Sequence, residues 1–378
     1  MPLALTGARI FDGSRLLDGY AVLLDGSRIA ALVPEGDLPD HAERQRVEGL
    51  LAPGFIDVQV NGGGGVLFNE TRTVEGIRAI AAAHRRYGTT GCLPTFITDS
   101  RERMAEAVAA ARDALTMGVP GVLGIHCEGP FINPERKGVH DPAYMRPIED
   151  EDLRILTSLG TGRTLVTLAP EQVPMGAIRR LATAGVLVCA GHTKADYAVV
   201  AESFRNGLTG FTHLFNAMPP LAGREPGPVG AALDDRDSWC GLIVDGYHVD
   251  DASLRIAIRA KGADRIMLVS DAMPSVGSDL TTFELLGRTV YREKGRLTTA
   301  DGTLAGCDLD MASAVRNTVA LGIPLGDALR MASLTPAAFL RLDHELGRIA
   351  PGYRASLVLL DGDLQVRRTW IDGAAEDA

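Results

Sequence analysis

The chain lacks long apolar runs, an excess of positive charge and any paired-cysteine motif. No apolar segment approaches the roughly 18–20 residues that a membrane-spanning helix needs, and no charged start followed by an apolar stretch marks a signal peptide. A formal net charge of -10 argues against sequence-independent binding of nucleic acid, which relies on Lys and Arg at the phosphates. Five cysteines without a C-x-x-C pair argue against a disulfide framework or a zinc ribbon. We therefore expect a cytoplasmic protein with reduced cysteines.

The middle of the chain alternates apolar strands with amphipathic helices. Eight segments are interpreted as strands: residues 54–61, 90–97, 121–128, 164–169, 186–191, 209–215, 240–245 and 265–270. Helical patterns fill most of the gaps, and Gly88 and Gly118 stand where glycine commonly ends a helix. Eight such repeats predict an α/β fold, a TIM-like (β/α)8 barrel whose site lies at the C-terminal ends of the strands. The alternative is an open doubly wound sheet, but no G-x-G-x-x-G motif follows the first strand.

Both ends of the chain contain short strands with Asp-Gly turns, including a hairpin expected around Asp25 and Gly26. Because both ends show this pattern of short strands and turns, we predict a small β-sandwich domain built from residues 1–52 and 343–378, with the barrel domain in residues 53–342. After the eighth strand, residues 287–299 are typical of a β-hairpin, and helices are expected near 309–322 and 326–341.

The first barrel strand lacks a histidine pair. The segment "LAPGFIDVQVNGGGGV" is a strand that opens into a glycine-rich turn. Its start is similar to the pattern Pro-Gly-Phe-Ile-Asp-x-His-x-His of metal-dependent hydrolases, in which both histidines bind a metal. Gln59 and Asn61 occupy those two positions here. Because carboxamides are poor ligands for zinc-like metals, any metal must be held by other residues.

Metal-competent side chains stand at the ends of other predicted strands. Glu128 ends the third strand, His192 follows the fifth and His213 lies in the sixth. A single histidine of this kind is more often a hydrogen-bonded core residue, but barrel closure brings these three strand ends to one mouth. One carboxylate and two imidazoles form the open three-ligand set of a catalytic zinc site. We expect one divalent ion per subunit, with zinc the best match and iron, cobalt or manganese left open.

Asp271 follows the eighth strand in "LVSDAMP" and is the best general base. A carboxylate beside a metal can take a proton from the attacking water and return it to a leaving nitrogen. The competing interpretation of Asp271 is a helix N-cap. His126 shares the strand face of Glu128 by the two-residue period, and we interpret it as support for the site and not as a ligand.

Several segments together resemble the N-acetylglucosamine-6-phosphate deacetylases of the amidohydrolase superfamily. The specific ones are "HCEGPF", "HLFNAM" and "GREPG", and the match continues through "RKGVH", "DGYHVD", "LVSDAMP" and "GTLAGCDLDM". The resemblance implies hydrolysis of the acetamide of N-acetyl-D-glucosamine 6-phosphate to D-glucosamine 6-phosphate and acetate. It implies an amidohydrolase-type barrel with Glu128, His192 and His213 on one metal and Asp271 as proton acceptor and donor. His140 would polarise the acetamide carbonyl.

The same resemblance implies which residues contact the substrate. Arg224 and His248 would bind the 6-phosphate, since a guanidinium pairs with phosphate in a bidentate, charge-assisted manner. In relatives the neighbouring subunit completes part of this site, so a homodimer is expected. Asn61 is expected to stabilise the glycine turn. The predicted substrate-binding residues are Gln59, Val139, His140, Asn216, Ala217, Arg224, His248, Leu304, Ala305, Gly306 and Cys307.

Three other functions remain open at this point. An epimeric N-acetylgalactosamine 6-phosphate would need the same chemistry, and the orientation of one hydroxyl cannot be deduced from the sequence. Deaminases and cyclic amidases usually need the paired histidines that this chain lacks. A non-catalytic assembly protein built on an amidohydrolase-like barrel would fit the loss of the histidine pair, but the retained Glu128, His192, His213 and Asp271 argue against it.

Overall fold

A sheet of eight parallel strands forms the centre of the computed structural model, which describes residues 2–378. We number these strands β1 (Phe55–Val60), β2 (Thr89–Ile97), β3 (Gly124–Glu128), β4 (Arg163–Leu168), β5 (Leu187–Ala190), β6 (Leu208–Phe211), β7 (Trp239–Leu242) and β8 (Ile266–Leu268). The ring closes just beyond β8, where Asp271 N donates to Gln59 O at 3.0 Å and Asn61 N donates to Ala272 O at 2.9 Å. The predicted (β/α)8 barrel is therefore confirmed. His213 lies two residues beyond β6, because that strand ends earlier than predicted.

Ten α-helices surround or follow the barrel within residues 2–378. They are α1 (Val74–Arg85), α2 (Arg101–Thr116), α3 (Asp150–Leu156), α4 (Met175–Thr183), α5 (Tyr197–Arg205), α6 (Gly227–Asp234), α7 (Asp251–Lys261), α8 (Met311–Ala320), α9 (Leu325–Ala332) and α10 (Leu334–Phe339). Thr73 and Ser100 cap α1 and α2 by accepting backbone N–H bonds. Gly88 and Gly118 follow these helices with positive φ, as the sequence predicts. In the described residues, no helix combines the length and hydropathy needed to cross a membrane.

Two sheets from the chain ends make a separate β-structure. One sheet contains Leu3–Thr6, Tyr20–Asp25, Arg28–Pro34 and Glu43–Arg46. The other contains Arg9–Phe11, Leu16–Leu17, Leu50–Pro53, Leu357–Leu360, Val366–Ile371 and Ala374–Asp377. Leu50–Pro53 pairs antiparallel with Leu357–Leu360, so both termini share one sheet. Buried Leu51, Leu357 and Trp370 belong to a core of their own. The exact domain boundaries stay a prediction.

A three-stranded antiparallel sheet follows β8 and reaches the barrel mouth. It consists of Thr282–Leu285, Arg288–Glu293 and Arg296–Thr299, so the predicted hairpin carries one additional strand. Leu285, Val290 and Leu297 pack against Met273 and Ala305 in a small core. This packing places Arg296 and the segment 302–306 beside the cavity at the mouth.

A buried carboxylate ties α3 to α2. Asp152 has no exposed side-chain surface and accepts hydrogen bonds from Arg101 Nε at 2.9 Å, Arg146 Nη2 at 2.9 Å and Glu149 N at 2.9 Å. Burial opposes ionisation, but the bonds from Arg101 and Arg146 outweigh it and hold the pKa of Asp152 below its usual value. The stabilisation is therefore present above the unfolded-state pKa and is lost as pH falls through the lower folded-state pKa.

We expect Asp152→Asn to lower the free energy of unfolding at pH 7 by about 3–5 kcal/mol, because two guanidinium groups lose a buried partner. The difference from wild type should shrink as the pH is lowered towards the folded-state pKa. Urea titrations at several pH values measure both effects. Asp150→Asn is the matched control, since Asp150 lies on the same helix with a side chain 75% exposed and should change stability by about 0.5 kcal/mol or less. Equal losses in the two variants would contradict the role of the buried cluster.

Candidate active site

A cavity of about 390 Å³ opens at the C-terminal ends of the barrel strands. Most of the site residues predicted from the sequence line it: Glu128, Val139, His140, His192, His213, Asn216, Ala217, His248, Asp271, Leu304 and Gly306. Four predicted substrate contacts do not. Gln59, Ala305 and Cys307 are buried behind the lining, and Arg224 is exposed in the loop before α6.

Glu128, His192 and His213 converge on one point, although they belong to three different strand ends. Glu128 Oε1 is 3.1 Å from His192 Nε2 and 3.0 Å from His213 Nε2. The two Nε2 atoms are 3.1 Å apart. Each histidine is the second residue after the end of its strand, and both have positive φ, 49° for His192 and 32° for His213.

The donor set fits a divalent metal. His192 Nδ1 lies 2.8 Å from Arg136 O, so this nitrogen carries the proton and the Nε2 lone pair faces the point of convergence. Ligands at about 2.0–2.1 Å from a tetrahedral zinc ion lie about 3.3 Å apart, close to the separations of 3.0–3.1 Å found here. Burial disfavours the charge of Glu128, yet the two imidazoles beside it outweigh this effect and hold the pKa of Glu128 well below its usual value.

Two carboxamides at the end of β1 hold Asp271, and one of them also connects it to Glu128. Gln59 Nε2 donates to Glu128 Oε2 at 3.1 Å and to Asp271 Oδ1 at 3.1 Å. Asn61 Nδ2 donates to the same Asp271 oxygen at 2.7 Å. The side chain of Asn61 therefore holds Asp271, whereas the sequence suggested only a role in the glycine turn. These amides fix one carboxylate relative to the other.

Asp271 is a partly buried carboxylate that lines the same cavity as the ligand set. Burial, together with the negative charge of Glu128, raises its pKa to about 6, and the hydrogen bond from Asn61 opposes this rise. A pKa near the working pH suits a group that must both accept and release a proton. The competing N-cap interpretation of Asp271 is wrong, because the next described α-helix begins only at Met311.

His140 faces the cavity from the loop after β3. Its Nδ1 lies 2.7 Å from Thr98 Oγ1, and its ring centroid is 4.4 Å from that of His192. Burial, followed by the charge of His192, lowers the pKa of His140 to about 3, so the ring is neutral. Ligand atoms of Glu128, His140 and His192 also lie within 4.8 Å of one another. We assign the third ligand position to His213 because its nitrogen makes the close contacts and His140 is bonded to Thr98.

His126 lies outside the ligand group. Its Nε2 is 2.7 Å from Thr167 Oγ1 in the barrel interior, and burial lowers its pKa to about 4. His126 thus packs below Glu128 and joins β3 to β4.

Backbone strain is concentrated at the mouth of the barrel. Five non-glycine residues there adopt the left-handed region, which costs free energy and is common at functional sites. They are His192 (φ 49°), His213 (φ 32°), Phe215 (φ 80°), Ala217 (φ 54°) and Asp271 (φ 50°). The strained turns after β5, β6 and β8 aim the three polar side chains into the cavity.

Two features of the cavity were not predicted from the sequence. Arg296 supplies the only Lys or Arg side chain among the residues found to line it, and its position in a strand after β8 gave no signal in the sequence. His248 Nδ1 donates to Asp245 Oδ2 at 2.6 Å. This pairing orients the His248 ring, and the spacing of three residues could have indicated it.

The barrel is parallel and of the (β/α)8 type, and its mouth carries a carboxylate, two imidazoles and a second, partly buried acid. This arrangement defines the class of metal-dependent barrel hydrolases. The profile of the amidohydrolase family matches residues 50–375, and that of the NagA composite domain matches residues 3–51. The chain belongs to the amidohydrolase family.

The relatives are similar over their full length. The chain is 41% identical to N-acetylgalactosamine-6-phosphate deacetylase of a Shewanella species, covering 98% of this chain and 95% of that protein. It is 36% identical to N-acetylglucosamine-6-phosphate deacetylase of Haemophilus influenzae, covering 99% of each. The crystal structure of N-acetylglucosamine-6-phosphate deacetylase from Pasteurella multocida superposes with a TM-score of 0.96 at 37% identity, covering 100% of both chains.

Proposed function

We propose that this hydrolase cleaves the acetamide of N-acetyl-D-glucosamine 6-phosphate, giving D-glucosamine 6-phosphate and acetate. The observation that carries the proposal is the meeting of Glu128, His192 and His213 within 3.0–3.1 Å, with Asp271 tied to Glu128 through Gln59. Full-length similarity to deacetylases of both N-acetylhexosamine 6-phosphates supports it.

Glu128, His192 and His213 would hold one divalent ion, which we propose to be zinc, although iron, cobalt and manganese also accept this donor set. When bound, the ion supplies Lewis acidity that polarises the amide carbonyl and acidifies water. Asp271 takes the proton of the attacking water as the new C–O bond forms. It then gives this proton to the amide nitrogen as the C–N bond breaks, so the sugar leaves as an amine.

His140 donates to the carbonyl oxygen as negative charge develops there. For this role its Nε2 must carry the proton. We assign that tautomer because Thr98 Oγ1, at 2.7 Å, can donate its hydroxyl hydrogen to Nδ1. Burial keeps the His140 ring neutral, so it donates a hydrogen bond to the carbonyl oxygen and does not transfer a proton to it.

We further propose a homodimer in which Arg224 reaches the substrate phosphate of the neighbouring subunit. Arg224 is exposed and does not line its own cavity. The same loop exposes 55% of Leu221, an apolar surface of the kind that protein interfaces cover. His248 lines the cavity and offers a second contact to the phosphate.

Arg296 is proposed to attract the same phosphate from within the chain. We expect Arg296→Gln to raise KM for the phosphorylated sugar about 10-fold, the loss of one charge-assisted hydrogen bond to a charged group, with kcat changed little. Steady-state acetate release measures both constants. Arg288→Gln is the control, because Arg288 belongs to the same small sheet, pairs with Asp301 and does not line the cavity. An unchanged KM in Arg296→Gln would remove Arg296 from the phosphate site.

A comparison of the two epimers tests the proposed function. Acetate release is measured from N-acetylglucosamine 6-phosphate, N-acetylgalactosamine 6-phosphate and unphosphorylated N-acetylglucosamine. We expect the highest kcat/KM with the first. The 41% identity to the Shewanella enzyme makes the second the competing substrate. Faster turnover of the galactosamine derivative would reassign the substrate and leave the chemistry intact, whereas no acetate from any of the three would refute the proposal.

A further inference from the structure

A second cluster of metal-competent side chains lies beside the cavity and contains none of the residues assigned to the first metal. Asp245 Oδ2 is 2.6 Å from His248 Nδ1, and Cys307 Sγ is 3.5 Å from the same nitrogen. One ligand atom from each of the three lies within 4.8 Å of the others. The side chains of His248 and Asp245 are only 8% and 7% exposed, and Cys307 is buried. Of these three residues, only His248 takes part in the proposed function, and the Cys307 thiol has no role in it.

The donor set favours a particular class of cation. A thiolate and an imidazole select soft or borderline ions such as Zn²⁺ and Cd²⁺ over Mg²⁺ or Ca²⁺. At a tetrahedral zinc ion, sulfur at about 2.3 Å and nitrogen at about 2.0–2.1 Å would lie about 3.6 Å apart, which matches the Sγ–Nδ1 distance of 3.5 Å. The Asp245 Oδ2–His248 Nδ1 distance of 2.6 Å, which a proton now bridges, would have to increase slightly to admit the ion.

The electrostatic surroundings also favour a cation. Burial raises the pKa of the Cys307 thiol well above its usual value, and the negative charges of Asp271 and Asp245 raise it further. The thiol thus lies in the field of nearby carboxylates. A bound cation would offset this accumulation of negative charge.

We propose that Asp245, His248 and Cys307 form a second, inhibitory site for a zinc-class cation. Binding releases the proton of Cys307 Sγ to solvent and moves the single ring proton of His248 from Nδ1 to Nε2, which frees the Nδ1 lone pair for the cation. The cation then fixes the His248 ring in the wall of the cavity and removes it from substrate binding. This inhibitory consequence rests on the proposed function, whereas the cation site itself does not.

Cadmium titration of the holoenzyme tests the site directly. The first metal site has no sulfur ligand, so a thiolate-to-cadmium charge-transfer absorption reports only on a cysteine. We expect the band in wild type and in Cys127→Ala, a control at another buried cysteine with no charged neighbour acting on it. The band should be lost in Cys307→Ser. Its absence in wild type at saturating Cd²⁺, or its persistence in Cys307→Ser, would overturn the proposal.

A second experiment measures how Cd²⁺ inhibits acetate release, relative to the uninhibited rate of each variant. Loss of one ligand should raise the half-inhibitory Cd²⁺ concentration about 10-fold or more in Cys307→Ser, and His248→Gln should also lose the absorption band. Equal inhibition of wild type and Cys307→Ser would contradict an inhibitory role. The absorption titration contains no sugar phosphate. It therefore tests the cation site even if the protein hydrolyses none of the three sugars. Retention of the tightly bound first metal shows that each variant is folded.

Discussion

Asp271→Asn is expected to lower kcat for acetate release by about 100- to 10,000-fold, the range that a positioned general acid–base group contributes. The asparagine oxygen can still accept the hydrogen bonds that Asp271 Oδ1 now receives from Gln59 at 3.1 Å and Asn61 at 2.7 Å. The fold and the metal ligands should therefore persist. What the variant loses is a group that can take up a proton from water and deliver it to nitrogen.

The measurement is kcat at saturating substrate, with metal content and unfolding midpoint determined on the same preparation. Asp279→Asn is the control, because Asp279 is exposed in the segment after β8 and lies outside the cavity. It should keep full activity. Near wild-type turnover by Asp271→Asn, with metal bound, would show that another group moves the proton.

Mixed dimers of Arg224→Ala and Asp271→Asn are expected to recover about half of the wild-type activity per dimer, since one of two symmetric sites is then intact. That site combines Asp271 of one subunit with Arg224 of the partner subunit. Each parent dimer should be nearly inactive at substrate concentrations below its KM, the first for lack of the guanidinium and the second for lack of the base.

The experiment uses co-expressed chains with two different affinity tags and purification on both, so that only mixed dimers are assayed. Two differently tagged wild-type chains set the reference. Mixed dimers as inactive as their parents would place Arg224 in its own subunit's site, and an active Arg224→Ala parent would place it outside the site. A monomer at assay concentrations would refute the dimer itself.

The barrel was predictable because each β-strand is an apolar run followed by a helix with a regular apolar stripe. Each of its eight strands overlaps an expected segment, with ends shifted by up to four residues. The convergence of Glu128, His192 and His213 followed from one rule: parallel strands of a closed barrel present their C-terminal ends at one mouth.

Other parts of the site depend on contacts that strand patterns do not encode. Cys307 meets His248 across 59 residues of sequence, and Arg296 reaches the cavity through the packing of an irregular insertion. The bridging role of Gln59 requires the closure of β8 onto β1, which brings Asp271 within 3.1 Å of its amide. Arg224 remains outside the cavity, because its proposed partner is another copy of the chain.

The proposed hydrolysis requires that Glu128, His192 and His213 hold one metal ion, and the metal content of the protein shows whether they do. Wild type, Glu128→Gln and the exposed control Glu135→Gln are expressed with divalent metals present, dialysed against metal-free buffer and analysed by mass spectrometry for metals. We expect one tightly bound divalent ion per chain in wild type and Glu135→Gln, and almost none in Glu128→Gln. Wild-type protein without such an ion, or Glu128→Gln that retains it in full, would refute this metal site.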